Sequence, residues 1–191
     1  GTPRFHKDAT VSSVPGDGGK AEALTIPEDV PDLDTTYLAK LTLTDPTGNE
    51  VSRNVYWHST KPDVLGDYEG GPKPPTASYG SLTGLNQLAQ AQISATATSA
   101  NTGDTTKVTV TLTNTGTGNT PALLTDVHLV DEDNNPVLPV TWTDNQVSLW
   151  PGETTTITAT VRTIDLTGTT PHLRITGWNT PTSSITANTT P

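Results

Sequence analysis

The chain contains no cysteine among its 191 residues, which excludes disulfides, thiolate metal sites and thiol nucleophiles. Positive charge is scarce: 10 Lys and Arg stand against 20 Asp and Glu, for a net charge of -10 and a pI near 4.5. Nucleic-acid binding needs a basic stripe to displace phosphate counterions, so that class drops out. No apolar run approaches the roughly 20 residues of a membrane-spanning helix. Gly1 opens no stretch with the charged and apolar regions of a signal peptide, so none is read at the start of this sequence. Hydrophobic residues make up 31% and aromatics 5%, below the roughly 45–50% apolar content of a typical globular chain, a figure that also counts glycine.

Threonine fills the gap. Forty threonines favour half-buried strands over helices, because branching at Cβ restricts χ1. Sixteen glycines and sixteen prolines break the chain too often for long helices. The composition predicts an all-β protein, and the length allows one large domain or two of roughly 100 residues. An acidic, cysteine-free, Thr-rich chain fits a secreted, extracellular bacterial protein, and its charge favours polycationic over polyanionic partners.

Residues 1–67 hold four strand-like runs. Asp8–Val14 ends at the turn Pro15–Gly19, and Ala21–Ile26 ends at Pro27. Tyr37–Thr44 and Val51–Ser59 flank Asp45-Pro46-Thr47-Gly48, a good turn sequence. Four strands fall short of the roughly seven of an immunoglobulin-like sandwich. A lone sheet would leave its apolar face in water, so this segment reads as the C-terminal part of a sandwich, incomplete at its N-terminus. Residues 68–91 read as a linker and connecting segment, with Gly70-Gly71-Pro72-Lys73-Pro74-Pro75 at its centre and Leu82, Leu85 and Leu88 at helix-like spacing.

Residues 92–179 predict a complete immunoglobulin-like β-sandwich. Seven alternating runs lie at Gln92–Ser99, Lys107–Thr113, Leu123–Asp131, Val137–Trp142, Gln146–Leu149, Thr154–Arg162 and His172–Trp178. Residues 180–191 read as a Thr/Ser/Pro-rich tail, a frayed end or a linker to a further module.

Nothing in the sequence spells a catalytic site. There is no nucleophile motif, no phosphate-cradling glycine loop and no His-Glu-x-x-His helix, so no catalytic residue, metal ligand or cofactor is assigned. Asp126 and His128, two apart on a strand, share a face and can interact, and they read as part of a solvated surface. The acidic run Asp131–Asn135 lacks the EF-hand pattern and reads as a turn. Asn188-Thr189-Thr190 matches the N-glycosylation pattern, relevant only in a eukaryotic host.

Tryptophan remains, because rings stack on sugars as well as in cores. Strand parity places Trp142 with Leu138 and Val140, and Trp57 with Val51 and Val55, both facing a core. It leaves Trp150 out of phase with Val147 and Leu149, and puts Trp178 opposite Leu173 and Ile175, on the face of Arg174 and Thr176. Trp150 and Trp178 are the candidate ligand-binding or domain-interface residues, with an interface favoured by the general enrichment of tryptophan there.

Two sets of motifs carry a resemblance. Tyr37–Asp45 with Gly48, followed by Val51-Ser52-Arg53-Asn54-Val55-Tyr56-Trp57-His58-Ser59, resembles the last strands of the sandwich that follows the catalytic barrel in glycoside hydrolase family 2. Val137–Asn145, Leu149-Trp150-Pro151-Gly152-Glu153 and Gly177-Trp178-Asn179 resemble the final immunoglobulin-like domain of its exo-β-D-glucosaminidase branch, close to the beta-mannosidases. Tyr79 and Leu82–Leu88 are similar to the connection between these domains. His58 stands where the family more often has leucine, and Gln146 where an aromatic is common. The resemblance implies a non-catalytic part of an enzyme that releases glucosamine from chitosan oligosaccharides, its catalytic glutamates on a barrel outside this chain. The implied partners are the parent's catalytic and N-terminal domains, with chitosan as a further one. Two alternatives stay open: a stand-alone carbohydrate-binding module using Trp150 and Trp178, and a Thr-rich adhesin. The adhesin predicts repeated domains, and the two segments are not repeats.

Overall fold

The computed structural model describes residues 2–27, 29–68, 70–166 and 170–189. The chain divides into two compact units, residues 2–87 and 88–191.

In the first unit, β1 (Thr36–Thr44) and β2 (Glu50–Ser59) form an antiparallel hairpin with Tyr37 opposite His58. Its turn closes on Asp45, whose carboxylate accepts bonds from the Thr47 and Asn49 backbone N–H groups and from both side chains. A second, short pair joins β3 (Val64–Leu65) and β4 (Thr76–Ser78). The 3₁₀ turn Thr83–Gln87 follows, and side-chain hydroxyls stitch this stretch to the hairpin. Thr36 Oγ1 donates to Ser81 O at 3.0 Å and accepts from Gly84 N–H at 3.2 Å, while Ser59 Oγ accepts from Ser81 N–H. A Cβ at Gly84 would sit 2.9 Å from the Thr36 side chain, so only glycine allows this approach.

Two strand expectations fail here. Asp8–Val14 and Ala21–Ile26 form no strand, because alternation creates a strand only where a partner completes the ladder and a face is buried. Within the linker and connecting segment lie β4 and the 3₁₀ turn, where Leu85, one of the three spaced leucines, is buried. Leu85 is the only buried residue of this unit among those described.

The second unit is a two-sheet sandwich. One sheet has the order β13-β5-β6-β10-β8, from β5 (Ile93–Thr102), β6 (Thr105–Asn114), β8 (Thr141–Trp142), β10 (Thr154–Arg162) and β13 (Asn188–Thr189). The other runs β12-β11-β7-β9, from β7 (Ala122–Val130), β9 (Val147–Leu149), β11 (His172–Thr176) and β12 (Ser183–Thr186). Alternation puts Val108, Val110, Leu112, Ile157 and Val161 of the first sheet against Val127, Leu129, Leu149, Leu173 and Ile175 of the second. Trp142 packs on this core at its edge.

Two buried asparagines close the loops. Asn114 donates to Leu149 O and Thr120 O and accepts from Gly116 N–H. Asn179 accepts from Leu123 N–H and donates to Ala89 O and Pro121 O, while its own carbonyl accepts from Ala91 N–H. The sandwich therefore begins before residue 92.

It also extends past 179. The expected tail supplies β12, paired with β11, and β13, which runs parallel to β5. Ile185 packs on the core and Ala187 belongs to it. Val137–Trp142 is the reverse case. Only Thr141 and Trp142 are strand, the Leu138–Pro139 bond is cis, and Leu138 is 72% exposed rather than sharing the core face. Pro136 and Pro139 lack the N–H groups that a continuous ladder requires.

Candidate functional site

The two sheets of the sandwich present different outer faces. On the five-stranded sheet, ladder rows run Ser94–Thr113–Thr154, Thr96–Thr111–Thr156 and Thr98–Thr109–Thr158. Threonines pair across strands, Thr111 with Thr156 at 3.1 Å and Thr113 with Thr154 at 2.9 Å between hydroxyl oxygens. β-branched side chains suit this flat surface, and the hydroxyls satisfy one another. Charge enters only at one end, through Lys107 and Arg162, and Arg162 makes a two-bond pair with Asp165. That pair raises the guanidinium pKa through the hydrogen bonds first and the charge second. The sequence shows the threonine content but not this array, which depends on strand register.

The four-stranded sheet carries chemistry instead. Asp126 and His128 come together as strand parity predicts, Oδ2 to Nε2 at 3.1 Å. Beside them on β11, Arg174 lies opposite His128 and Thr176 opposite Asp126. At the end of the row His172 Nδ1 lies 3.2 Å from Thr186 Oγ1.

Trp178 follows this strand and is 49% exposed, its backbone N–H bonded to Leu123 O. Trp150 sits elsewhere, half-buried in the turn Trp150-Pro151-Gly152-Glu153, where Glu153 Oε2 accepts the Trp150 N–H and Gly152 takes a φ of 83°. Of the two, Trp178 presents a ring to solvent.

Two irregularities lie at this end of the sheet. β7 bulges against β9 between Ala122 and Thr125, and within the bulge Leu124 has a φ of 48°. Gln146, just before β9, has a φ of 53°. Ser148 Oγ accepts the displaced Leu124 N–H, and the Asn145 side chain replaces ladder bonds by pairing with both the N–H and the carbonyl of Val127. Leucine in the left-handed region is uncommon, since its Cβ crowds the carbonyl. Strand parity gives no sign of such a bulge.

The acidic turn at Asp131 repeats the first unit's turn at Asp45. Each has aspartate first and asparagine fifth, with a positive φ at the fourth residue, Gly48 or Asn134. Asp131 Oδ1 accepts the Asp133 and Asn135 N–H groups, and Oδ2 accepts the Asn135 side chain. Both carboxyls are pulled below the ordinary range by the asparagine side chain first, Asp45 to about 2. Donors of the turn itself occupy these oxygens, as a solvated turn requires. Among the described residues no three His, Asp or Glu side chains gather at a metal-binding distance. In the glycosylation pattern at Asn188, Thr190 lies outside the described residues.

Comparison with known proteins agrees with the sandwich. The exo-beta-D-glucosaminidase Ig-fold domain family matches residues 73–180. The chain is 53% identical over 189 residues to the exo-beta-D-glucosaminidase of Streptomyces avermitilis, covering 98% of this chain and 21% of that protein. It is 51% identical over 192 residues to the enzyme of the same name from Amycolatopsis orientalis, covering 98% and 18%. Among solved structures, the Amycolatopsis orientalis exo-chitosanase CsxA superposes with a TM-score of 0.83 at 53% identity, over 89% of this chain and 20% of that one. The chain thus spans about a fifth of these relatives, and it belongs to the exo-β-D-glucosaminidase Ig-fold domain family.

Proposed function

We propose that this chain is the non-catalytic C-terminal portion of a secreted bacterial exo-β-D-glucosaminidase of glycoside hydrolase family 2, where it buttresses the catalytic barrel. The parent would remove glucosamine from the non-reducing ends of chitosan oligosaccharides. One observation carries the reading: similarity above 50% runs along nearly all of this chain yet covers about a fifth of each relative. The thinly buried first unit supports it. Leu41, Leu43, Val51 and Tyr56 of its hairpin are exposed, as expected of strands whose covering sheet comes from other sequence.

A second reading rests on Trp178, whose exposed ring could serve a carbohydrate-binding module. The net charge of -10 attracts a polycation without any dedicated site. Retention of the chain on insoluble chitosan, with chitin in parallel, separates the two. The buttress predicts retention only at low salt or none at all. Retention that survives about 0.5 M salt, where the screening length falls to a few ångströms, would replace it with the binding module.

A further inference from the structure

Within that accessory reading, on which this inference rests, we propose that the outer face of the four-stranded sheet around Arg174 and Trp178 docks against another folded part of the same enzyme, one presenting a carboxylate to Arg174. Residues 88–191 carry three basic residues against eight acidic ones. Of the three, Arg162 is held by Asp165 and Lys107 projects from the threonine face. Arg174 is half-buried, and its guanidinium has no ion pair or hydrogen bond among the described residues. Its nearest acid in the ladder, Asp126, is engaged by His128.

A guanidinium partly withdrawn from water gains most from a planar, two-bond carboxylate partner. Trp178 adds a large ring to the same face, and tryptophan and arginine are both enriched among the residues that carry most of the binding energy at interfaces. The bulge and the left-handed Leu124 fall at this end of the sheet, and such features gather at functional surfaces. The opposite sheet has none of these features. Its central threonines pair across strands, Thr111 with Thr156 and Thr113 with Thr154, and the one tryptophan of its strands, Trp142, packs on the core.

Charge also selects the occupant. Glucosamine polymers are cationic below neutral pH, so a fixed guanidinium beside Trp178 disfavours them, whereas an acidic protein surface is attracted.

The test places this chain in the Streptomyces avermitilis enzyme in place of the matching fifth. Arg174→Glu, Arg174→Lys, Trp178→Ala and Thr111→Glu are each made in that fusion and in the isolated chain. Arg174→Glu and Trp178→Ala should lower the melting temperature by ~3 °C or more in the fusion beyond any change in the isolated chain. Arg174→Lys should give a smaller difference, and Thr111→Glu should give none.

Equal shifts in the two settings would overturn the proposal. So would a self-associated isolated chain that Arg174→Glu dissociates, which would assign the face to a second copy. Salt-resistant chitosan retention lost in Trp178→Ala would assign it to sugar. A fusion whose parts fold but do not melt as one unit would remove the accessory reading, and the docking face with it.

Discussion

The two units are built from similar sequence material and reach different ends. Both are rich in threonine, both alternate, and both use the same aspartate-led turn, at Asp45 and at Asp131. The second unit buries a continuous core between two sheets, and its largest interior side chains, from Leu112 to Ile175, are almost wholly removed from water. The first unit buries one residue among those described. Most of the exposed large apolar residues belong to it, from Phe5 to Leu82. Alternation supplies an apolar face, and only a second sheet supplies somewhere to put it.

The largest test of this contrast is dissection. Residues 88–191 produced alone should unfold in one cooperative thermal transition followed by circular dichroism, and residues 1–87 should show none. A cooperative transition in the second fragment, matching the first in sharpness, would break the comparison.

Single substitutions sharpen it. Ile157→Ala removes a side chain that is 1% exposed and should cost about 2–5 kcal/mol in urea denaturation. Leu43→Ala, at a position 57% exposed, should stay within about 0.5 kcal/mol. Asn179→Ala strips partners from Leu123 N–H, Ala89 O and Pro121 O, and should cost about 1–3 kcal/mol by the same measurement.

The smallest effect is acid-dependent and common to both units. Asp45 is lowered from 3.8 to about 2, so its bonds contribute stability that is fully present above 3.8 and lost as pH falls through about 2. Asp131 moves in the same direction. Carboxyl carbon titration by NMR should find Asp45 near 2, and Asn49→Ala should return it toward 3.8. An unchanged midpoint in that variant would contradict the hydrogen-bond cause.

Much of the sandwich was legible because its strands carry their own pattern. Thr154–Arg162 is read from sequence with the bounds of β10, and β5, β6 and β7 lie within a few residues of their expected limits. β12 and β13 were hidden because Ile185 and Ala187 are too few to announce a strand, and their partners are distant in sequence. The opposite error at Asp8–Val14 has the same origin, since a local pattern does not report whether a partner exists. At the candidate surface, parity suffices to pair Asp126 with His128 and to expose Trp178. The Leu124 bulge, the threonine rows and the roles of Asn114 and Asn179 depend on register and loop closure, which no short window contains.

Native-state hydrogen exchange over the whole chain tests the difference between the units most directly. Amides of β5, β6, β7, β10 and β11 should exchange only by global unfolding, while those of β1 and β2 exchange orders of magnitude faster through local opening. Equal protection of the hairpin and the sandwich would contradict the account, because the first unit would then hold itself together without a second sheet.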